Sequence, residues 1–260
     1  MVAQSFSDQL GNRISLHYPP RRIVSLVPSQ TELLSYLGLD ECVVGITKFC
    51  IHPPDWRRRK AIVGGTKKFH FDVIKELSPD LIIGNKEENY KEGIERLRQE
   101  FPLWVSDIST LQDTYSMIES VGWMTGRQSE ALNCIREITT GFERIKKYEG
   151  QSVLYLIWKD PWMAAAGHTF IDNMLSAIGL SNVLASRERY PELTMDDIQD
   201  LAPEYILLSS EPYPFTQNHA DDFNRLTCRS KALLVDGEMF SWYGSRLIKA
   251  ADYFNTLEID

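Results

Sequence analysis

The stretch TKFCIHPP sets Cys50 and His52 two residues apart in a proline-bounded segment. A thiolate and an imidazole are soft and borderline ligands, so both can face one metal centre. A structural zinc site takes four such donors, and a buried thiol beside a structural imidazole is the competing reading. Cys42, Cys134 and Cys228 stand apart from Cys50 and from one another with no Cys-x-x-Cys pair, which predicts reduced, mostly buried thiols. The histidines, at 17, 52, 70, 168 and 219, are scattered. There is no G-x-S-x-G elbow, no phosphate-binding G-x-x-x-x-G-K-[ST], no G-x-G-x-x-G and no H-E-x-x-H. The chain is therefore expected to bind rather than to catalyse, with no intrinsic cofactor.

Other residues suit the walls of a ligand site. Trp158, Trp162, Tyr213, Phe215, Phe240, Trp242 and Tyr243 fall in IWKDPWMAAAGH, SSEPYPF and MFSWYGSR, outside any periodic core stripe. Rings in such loops either wall a pocket for a large flat or apolar ligand or pack against a sheet edge. Ser29 and Gln30, in VPSQTE, open a helix whose free N–H groups suit an anionic or carbonyl oxygen. Lys67 and Phe69 lie in the glycine-led GGTKKFHF. Glu87 and Glu88, in NKEEN, either bind a cation or start a helix. Arg246 can clamp a carboxylate or phosphate bidentately, or form an ion pair with the chain itself.

These residues need a frame. RRIVSLV is a β-branched run between Pro20 and Pro28, and SQTELLSYLGL follows, which predicts a strand and then a helix. Ser29 with Glu32 three residues on makes a capping box, and Gly38 ends the helix. CVVGIT, residues 81–83 after FDVIKELSP, and FPLWVSDI supply further strands. Strands alternating with helices imply parallel pairing, because parallel neighbours need a crossover connection.

The second half repeats the order: SVLYLIW, FIDNMLSAIGL ended by Gly179, MDDIQDLAPEYILLS, and ALLVDGEMF. DVIKELSPDLIIGN answers DDIQDLAPEYILLS, with Leu77-x-Pro79-Asp80 matching Leu201-x-Pro203-Glu204, and LLSYLGLD answers MLSAIGLS. One α/β unit occurs twice. Between the halves, over residues 127–148, apolar side chains recur at Ala131, Cys134, Ile135, Ile138, Phe142 and Ile145 without a proline, which predicts one helix of roughly 33 Å. The predicted fold is α/β. Two similar three-layer α/β lobes with mainly parallel sheets, residues 1–121 and 151–260, are joined by a single long interdomain helix within residues 122–150. A stiff helix, unlike a Gly/Ser linker, holds lobes at a nearly fixed separation, so a ligand cleft of limited closure is expected between them.

With 260 residues, 43% hydrophobic and 25% charged, the chain can bury a large core. Its net charge of −8 argues against nucleic acid or an anionic membrane surface as the main partner. No apolar run reaches the ~18–20 residues of a membrane span. The opening MVAQSFSDQLGNRISL lacks the basic start and apolar stretch of a secretory signal. A cytoplasmic chain and an exported one whose signal has been removed both fit.

PPRRIVSLVPSQTELLSYLGLDECVVGIT, then HPP, DVIKELSPDLII, the interlobe helix and GSRLIKAA resemble, in order and spacing, the class III substrate-binding proteins of ABC importers. That family captures cobalamin, ferric siderophores and haem, and the likeness is greatest to its cobalamin-binding branch. The resemblance implies two α/β lobes on one rigid helix, a small-molecule metal chelate (a corrinoid or an iron chelate) held between them, an ABC permease as partner, a monomer, and a periplasmic or extracytoplasmic place. His52 falls where the cobalamin binders have a pocket tyrosine, and residues 239–243 fall on an aromatic wall. Phe69 stands in for an aromatic displaced from the GGTKKFHF loop. Asp72 matches an acidic residue with which each lobe docks on the permease; in the second lobe Ser241 holds the matching position and Glu238 lies nearby. The alternative is a cytoplasmic metal-handling protein or enzyme on the same fold, with Cys50, His52 and Glu88 around a metal.

Overall fold

The computed structural model describes residues 2–227 and 229–260, so Cys228 lies outside the described residues. The elements run β1 (Val2–Ser7), β2 (Arg13–Tyr18), β3 (Ile23–Ser25), α1 (Pro28–Tyr36), β4 (Val43–Ile46), α2 (Trp56–Arg59), β5 (Ala61–Ile62), β6 (Gly64–Gly65), β7 (Lys68–Phe69), α3 (Phe71–Leu77), β8 (Leu81–Asn85), α4 (Lys91–Glu100), β9 (Leu103–Ser106), α5 (Leu111–Thr125) and α6 (Gln128–Glu143). They continue with β10 (Ser152–Trp158), β11 (Trp162–Ala164), α7 (Phe170–Ile178), β12 (Ser181–Asn182), β13 (Glu192–Leu193), α8 (Met195–Leu201), β14 (Tyr205–Ser209), α9 (Gln217–Leu226), β15 (Lys231–Val235), α10 (Gly237–Ser241) and α11 (Arg246–Phe254). Two compact units result: residues 1–108, 112–139 and 243–246 form the first, and residues 109–111, 140–242 and 247–260 the second.

The first unit is built on a five-stranded sheet in the order β5-β4-β3-β8-β9, parallel throughout. Every residue of β3, β8 and β9 is buried. Such unbroken burial belongs to parallel strands covered on both faces, and it explains why Ile23, Val24, Leu81, Ile82 and Ile83 read as continuous apolar runs. A hairpin, β1 with β2, is added at the start of the chain. Its turn carries Asp8, whose carboxylate accepts from the Leu10 and Asn12 backbone N–H groups at 3.0 and 2.7 Å and pairs with Arg98 at 3.2 Å. The second unit carries a six-stranded sheet ordered β13-β11-β10-β14-β15, with β12 also on β10. Its pairs β10/β12, β10/β14 and β14/β15 are parallel, whereas β11 returns antiparallel to β10 and to β13. Both units are thus α/β with parallel pairing at the centre of the sheet, as the alternation predicts.

The repeated motif has a common physical cause. Helices α3 and α8 each end on a left-handed residue, Ser78 (φ 44°) and Ala202 (φ 42°), followed by proline and an acid. The Asp80 carboxylate accepts the backbone N–H groups of Arg21 and Arg22, both at 2.8 Å, just before β3. The Glu204 carboxylate accepts the Ser152 N–H at 2.6 Å, at the start of β10. In each sheet the acid of the motif satisfies the entering strand at its amino end.

Two expectations about helices change. Ser29 does not cap α1: Val27 is the N-cap, with no side-chain cap bond, and Pro28 occupies the first helical position, which suits its fixed φ. The helical stretch expected over residues 127–148 ends at Glu143. Tyr148 and Gly150 instead donate backbone N–H groups to Ile178 and Gly179 at 2.9 Å each, and the Tyr148 hydroxyl donates to Phe254 O at 2.7 Å. These residues are drawn out as an extended lead into β10. Helix α6 is sixteen residues long, preceded by the separate fifteen-residue α5, with Gly126 (φ 72°) breaking the two.

Gly122 lies inside α5, where a Cβ would meet the Ala131 Cβ at 2.4 Å, so glycine permits the close approach of α6. Gly122→Ala is expected to lower the thermal midpoint although alanine gains about 1 kcal/mol in helix propensity, because overpacking of this kind costs roughly 1–3 kcal/mol. An unchanged or raised midpoint in thermal unfolding would refute the close-approach argument.

Candidate functional site

In open α/β sheets ligands gather beyond the carboxyl ends of the strands, and in the first unit that edge is filled by a buried polar network. Ser25 at the end of β3 shares a hydrogen bond with Thr31 at 2.8 Å, and the Thr31 hydroxyl reaches the Cys50 sulfur at 3.1 Å. Thr47 approaches the same sulfur at 3.2 Å. Cys50 is fully buried, and burial pushes its thiol above the ordinary range despite those two hydroxyls. A buried thiol of raised pKa is a poor ligand and nucleophile. Among the described residues no group of three His, Cys, Asp or Glu side chains converges to hold a metal ion. The expected Cys50 and His52 pair therefore divides: Cys50 is taken up in packing, and His52 stays part-exposed in its loop.

The next strands continue the network. Gln30 Nε2 and Asn85 Nδ2 donate to Ser106 Oγ at 2.5 and 2.9 Å. Asn89 Oδ1 accepts the Asn85 N–H at 2.9 Å, while its amide donates to Leu26 O and Thr66 O at 3.2 and 3.1 Å. Asn85 Oδ1 in turn accepts the N–H groups of Glu87 and Glu88 at 2.8 and 2.9 Å. Those two acids therefore belong to a side-chain-braced loop, and α4 begins only at Lys91. Lys67 is exposed and donates to Glu87 O at 2.6 Å.

Residues 243–246, far along the chain, complete this edge. Tyr243 is buried; its phenol is pushed well up, first by burial and then by the Glu88 carboxylate, with the nearby Ser29 and Ser106 hydroxyls acting the other way. Arg246 Nε donates to Glu32 Oε2 at 2.9 Å, with both side chains largely buried. Glu32 thus serves Arg246 and not a capping box, and the Arg246 group expected to clamp a ligand anion is held by an internal carboxylate. Ser29 and Gln30 are buried at 4% and 1% exposure, so the α1 N-terminus is closed over by the chain's own Tyr243–Arg246 segment. Phe69 is buried too, tilted against Tyr90 at 4.8 Å. What remains exposed on the neighbouring loop is Phe49, at 49%, with Ile51 and His52. Phe49 is a candidate binding residue that sequence reasoning misses; its signal is an aromatic beside the donor pair in TKFCIHPP.

In the second unit the same edge is aromatic. Trp158, 40% exposed, meets Tyr213 edge-on at 5.6 Å, and Tyr213 packs on Phe215 at 4.7 Å. Trp162 stacks on Phe215 with the planes only 7° apart. Phe240 belongs to the interior: it is fully buried among Tyr155 at 5.1 Å and Phe254 at 4.9 Å, because α10 turns it back under the sheet. Trp242 is nearly buried, its Nε1–H donating to Glu211 Oε1 at 2.8 Å, an oxygen that also accepts the Ser241 hydroxyl at 2.8 Å. Burial raises the Glu211 carboxyl, aided by the charges of Glu238 and Asp236 and opposed by the two donors. Glu238 itself stands in the first turn of α10, which Asp236 caps at 3.0 Å.

By the internal repeat, the position equivalent to Asp72 in the second unit is Asp196. Asp72 lies in the first turn of α3, and Asp196 lies in the first turn of α8, the matching seven-residue helix. Both are exposed. The signal is present in the DVIKEL and DDIQDL match.

A carboxyl whose pKa is raised on folding contributes stability that is fully present below its unfolded value and lost as pH rises through the folded value. Wild type should therefore lose stability with rising pH above the ordinary glutamate range. Glu211→Gln, which keeps an acceptor for Ser241 and Trp242, should raise the thermal midpoint at pH 8 and flatten that slope. Equal pH profiles in thermal unfolding from pH 4.5 to 8 would contradict the assignment.

Comparison with known proteins gives three findings. Residues 23–225 match the sequence profile of the periplasmic binding protein family. An ABC transporter substrate-binding lipoprotein of Bacillus subtilis is 23% identical over 262 residues, covering 95% of this chain and 83% of its own; a vitamin B12-binding protein of Pectobacterium carotovorum is 22% identical, covering 89% and 86%. The fold matches the crystal structure of the periplasmic vitamin B12-binding protein BtuF of Vibrio cholerae with a TM-score of 0.79, at 20% identity over 92% of this chain and 96% of that one.

Proposed function

The chain belongs to the periplasmic binding protein family, solute-binding proteins and not enzymes, and we propose that its cargo is a metal chelate, a corrinoid in first place, delivered to an ABC permease. The observation that carries this is the family match over residues 23–225 joined to near full-length similarity to proteins named for vitamin B12 binding. Supporting it, Trp158 and Tyr213 at the second sheet's carboxyl edge offer the ring surface that a macrocycle needs. In the first unit Phe49 is exposed and His52 part-exposed beside it. We read the carrier as a monomer acting outside the cytoplasm, in line with relatives named as a lipoprotein and as periplasmic. Among the described residues no helix is long and apolar enough to cross a membrane.

Titrating the protein with cyanocobalamin, haem and a ferric siderophore, with tryptophan fluorescence as readout, tests the proposal. Saturable quenching by cyanocobalamin is expected, weakened about tenfold by Trp158→Ala, the scale of effect when a large ring is truncated at a binding surface. No response to any of the three would overturn it.

The permease contact is assigned to Asp72 and Asp196 in place of Glu238. Asp72→Lys with Asp196→Lys should abolish cargo uptake in cells while leaving solution affinity for the cargo unchanged. Normal uptake by the double variant would remove these residues from the docking surface.

A further inference from the structure

We propose that the second unit carries a separate small-molecule site on the flank of its sheet, and that it takes a flat aromatic monoanion. A cavity of about 370 Å³ lies there beside α9, with Trp162, Met195, Phe223 and Leu226 as its apolar walls. That volume is within the roughly 300–1,000 Å³ of ordinary ligand pockets. The side of the sheet is fixed by pairing: Trp162 lies opposite Leu193 across β11 and β13, and Leu193, Phe215 and Phe223 share one buried cluster against which Trp162 packs. The indole therefore faces α8 and α9.

Shape and charge select the ligand. One neighbour of the Trp162 ring is the parallel Phe215 ring at 6.2 Å and another is Phe223, edge-on at 5.0 Å; the ring remains half-buried and lines the cavity. A planar guest lying along such walls gains ring contact at little cost in rotamer entropy. Leu226, 56% exposed on the rim, is an apolar side chain such a guest would cover. The charged lining does not cancel. Asp222 and Arg225 pair with each other at 2.6 Å. His219 accepts the Thr216 N–H on Nδ1 at 3.0 Å, which leaves its ring proton on Nε2 as a donor. Lys159, whose ammonium sits 5.8 Å from the Trp162 ring centroid, forms no ion pair among the described residues. One positive charge is left over, on the β10–β11 turn, which contributes Lys159 to the cavity lining. A carboxylate on an aromatic ring would meet the Lys159 ammonium while the ring lay along Trp162 and Phe223.

The probes are naphthalene-2-carboxylate, its neutral carboxamide and the cationic naphthalen-2-ylmethylamine, each titrated into the full chain by saturation-transfer NMR. The carboxylate is expected to bind with a Kd on the order of 0.1–1 mM. The amide should bind about fivefold more weakly, the size of one half-exposed ion contact, and the amine more weakly still. Lys159→Gln should bring the carboxylate down to the amide's affinity and leave the amide unchanged. Leu226→Glu, on the surface of α9, should weaken both. Equal affinity for all three probes, no binding, an unaffected carboxylate in Lys159→Gln, or displacement of the carboxylate by saturating cyanocobalamin would each overturn the proposal. The last outcome would put the probe in the transport site, so this test and that of the cargo can fail independently.

Discussion

A parallel sheet covered on both faces can present its own strands to other molecules only at their ends, because the ladder consumes its backbone groups and helices cover its faces. In this protein that constraint acts twice. The amino end of each sheet is closed by a carboxylate, Asp80 or Glu204, that takes the N–H groups of the entering strand. The opposite end is where the two units differ. Burying polar groups there is tolerable only when every group finds a partner. In the first unit the hydrogen bonds of Gln30 Nε2, Asn85, Asn89 and Ser106 meet most of that demand, while Gln30 Oε1 stays buried without a partner.

The duplication follows from the same closure. A helix that must stop, reverse and deliver a central strand needs a left-handed residue, a proline and an acceptor for the start of the sheet. Leu-x-Pro-acid provides the last two of these. Ser78 and Ala202 adopt the left-handed turn without glycine, a modest strain of the kind kept where surrounding structure over-determines the backbone. The match between the halves therefore reports a shared mechanical task as well as a shared pattern of apolar residues.

Much of the frame was legible because it rests on local signals. The continuous apolar runs of β3, β8, β10 and β14, the glycine stop at Gly179 and the order of strands and helices all lie within short windows of sequence. What escaped depends on partners far along the chain. Glu32 looked like half of a capping box because its real partner, Arg246, is 214 positions away. Phe240 looked like a loop ring because nothing local says that Tyr155 and Phe254 surround it. The helical stripe after Arg127 continued on paper to Tyr148, but the backbone there is claimed by Ile178 and Gly179. The N-terminal hairpin was missed for the same reason, since its anchors are the Asp8–Arg98 pair and the Trp104 indole donating to Ser7 O.

The two carboxyl edges differ in what each could offer a ligand. In the first unit the positions at the ends of β3, β8 and β9 are small hydroxyls and amides, and their hydrogen bonds are spent largely on one another. Such an edge is rigid and offers little apolar area. The second unit places Trp158, Trp162 and Tyr213 at its edge, while Phe215, expected at a ligand wall, is buried beneath them in the core. One buried carboxylate, Glu211, fixes the neighbouring segment by holding both the Ser241 hydroxyl and the Trp242 indole on a single oxygen. A charge so placed is costly unless its donors stay put, so those donors order the segment from α10 into Trp242 before any cargo arrives. Pre-ordering of this kind lowers the entropic cost of binding, which suits a member of a solute-binding family.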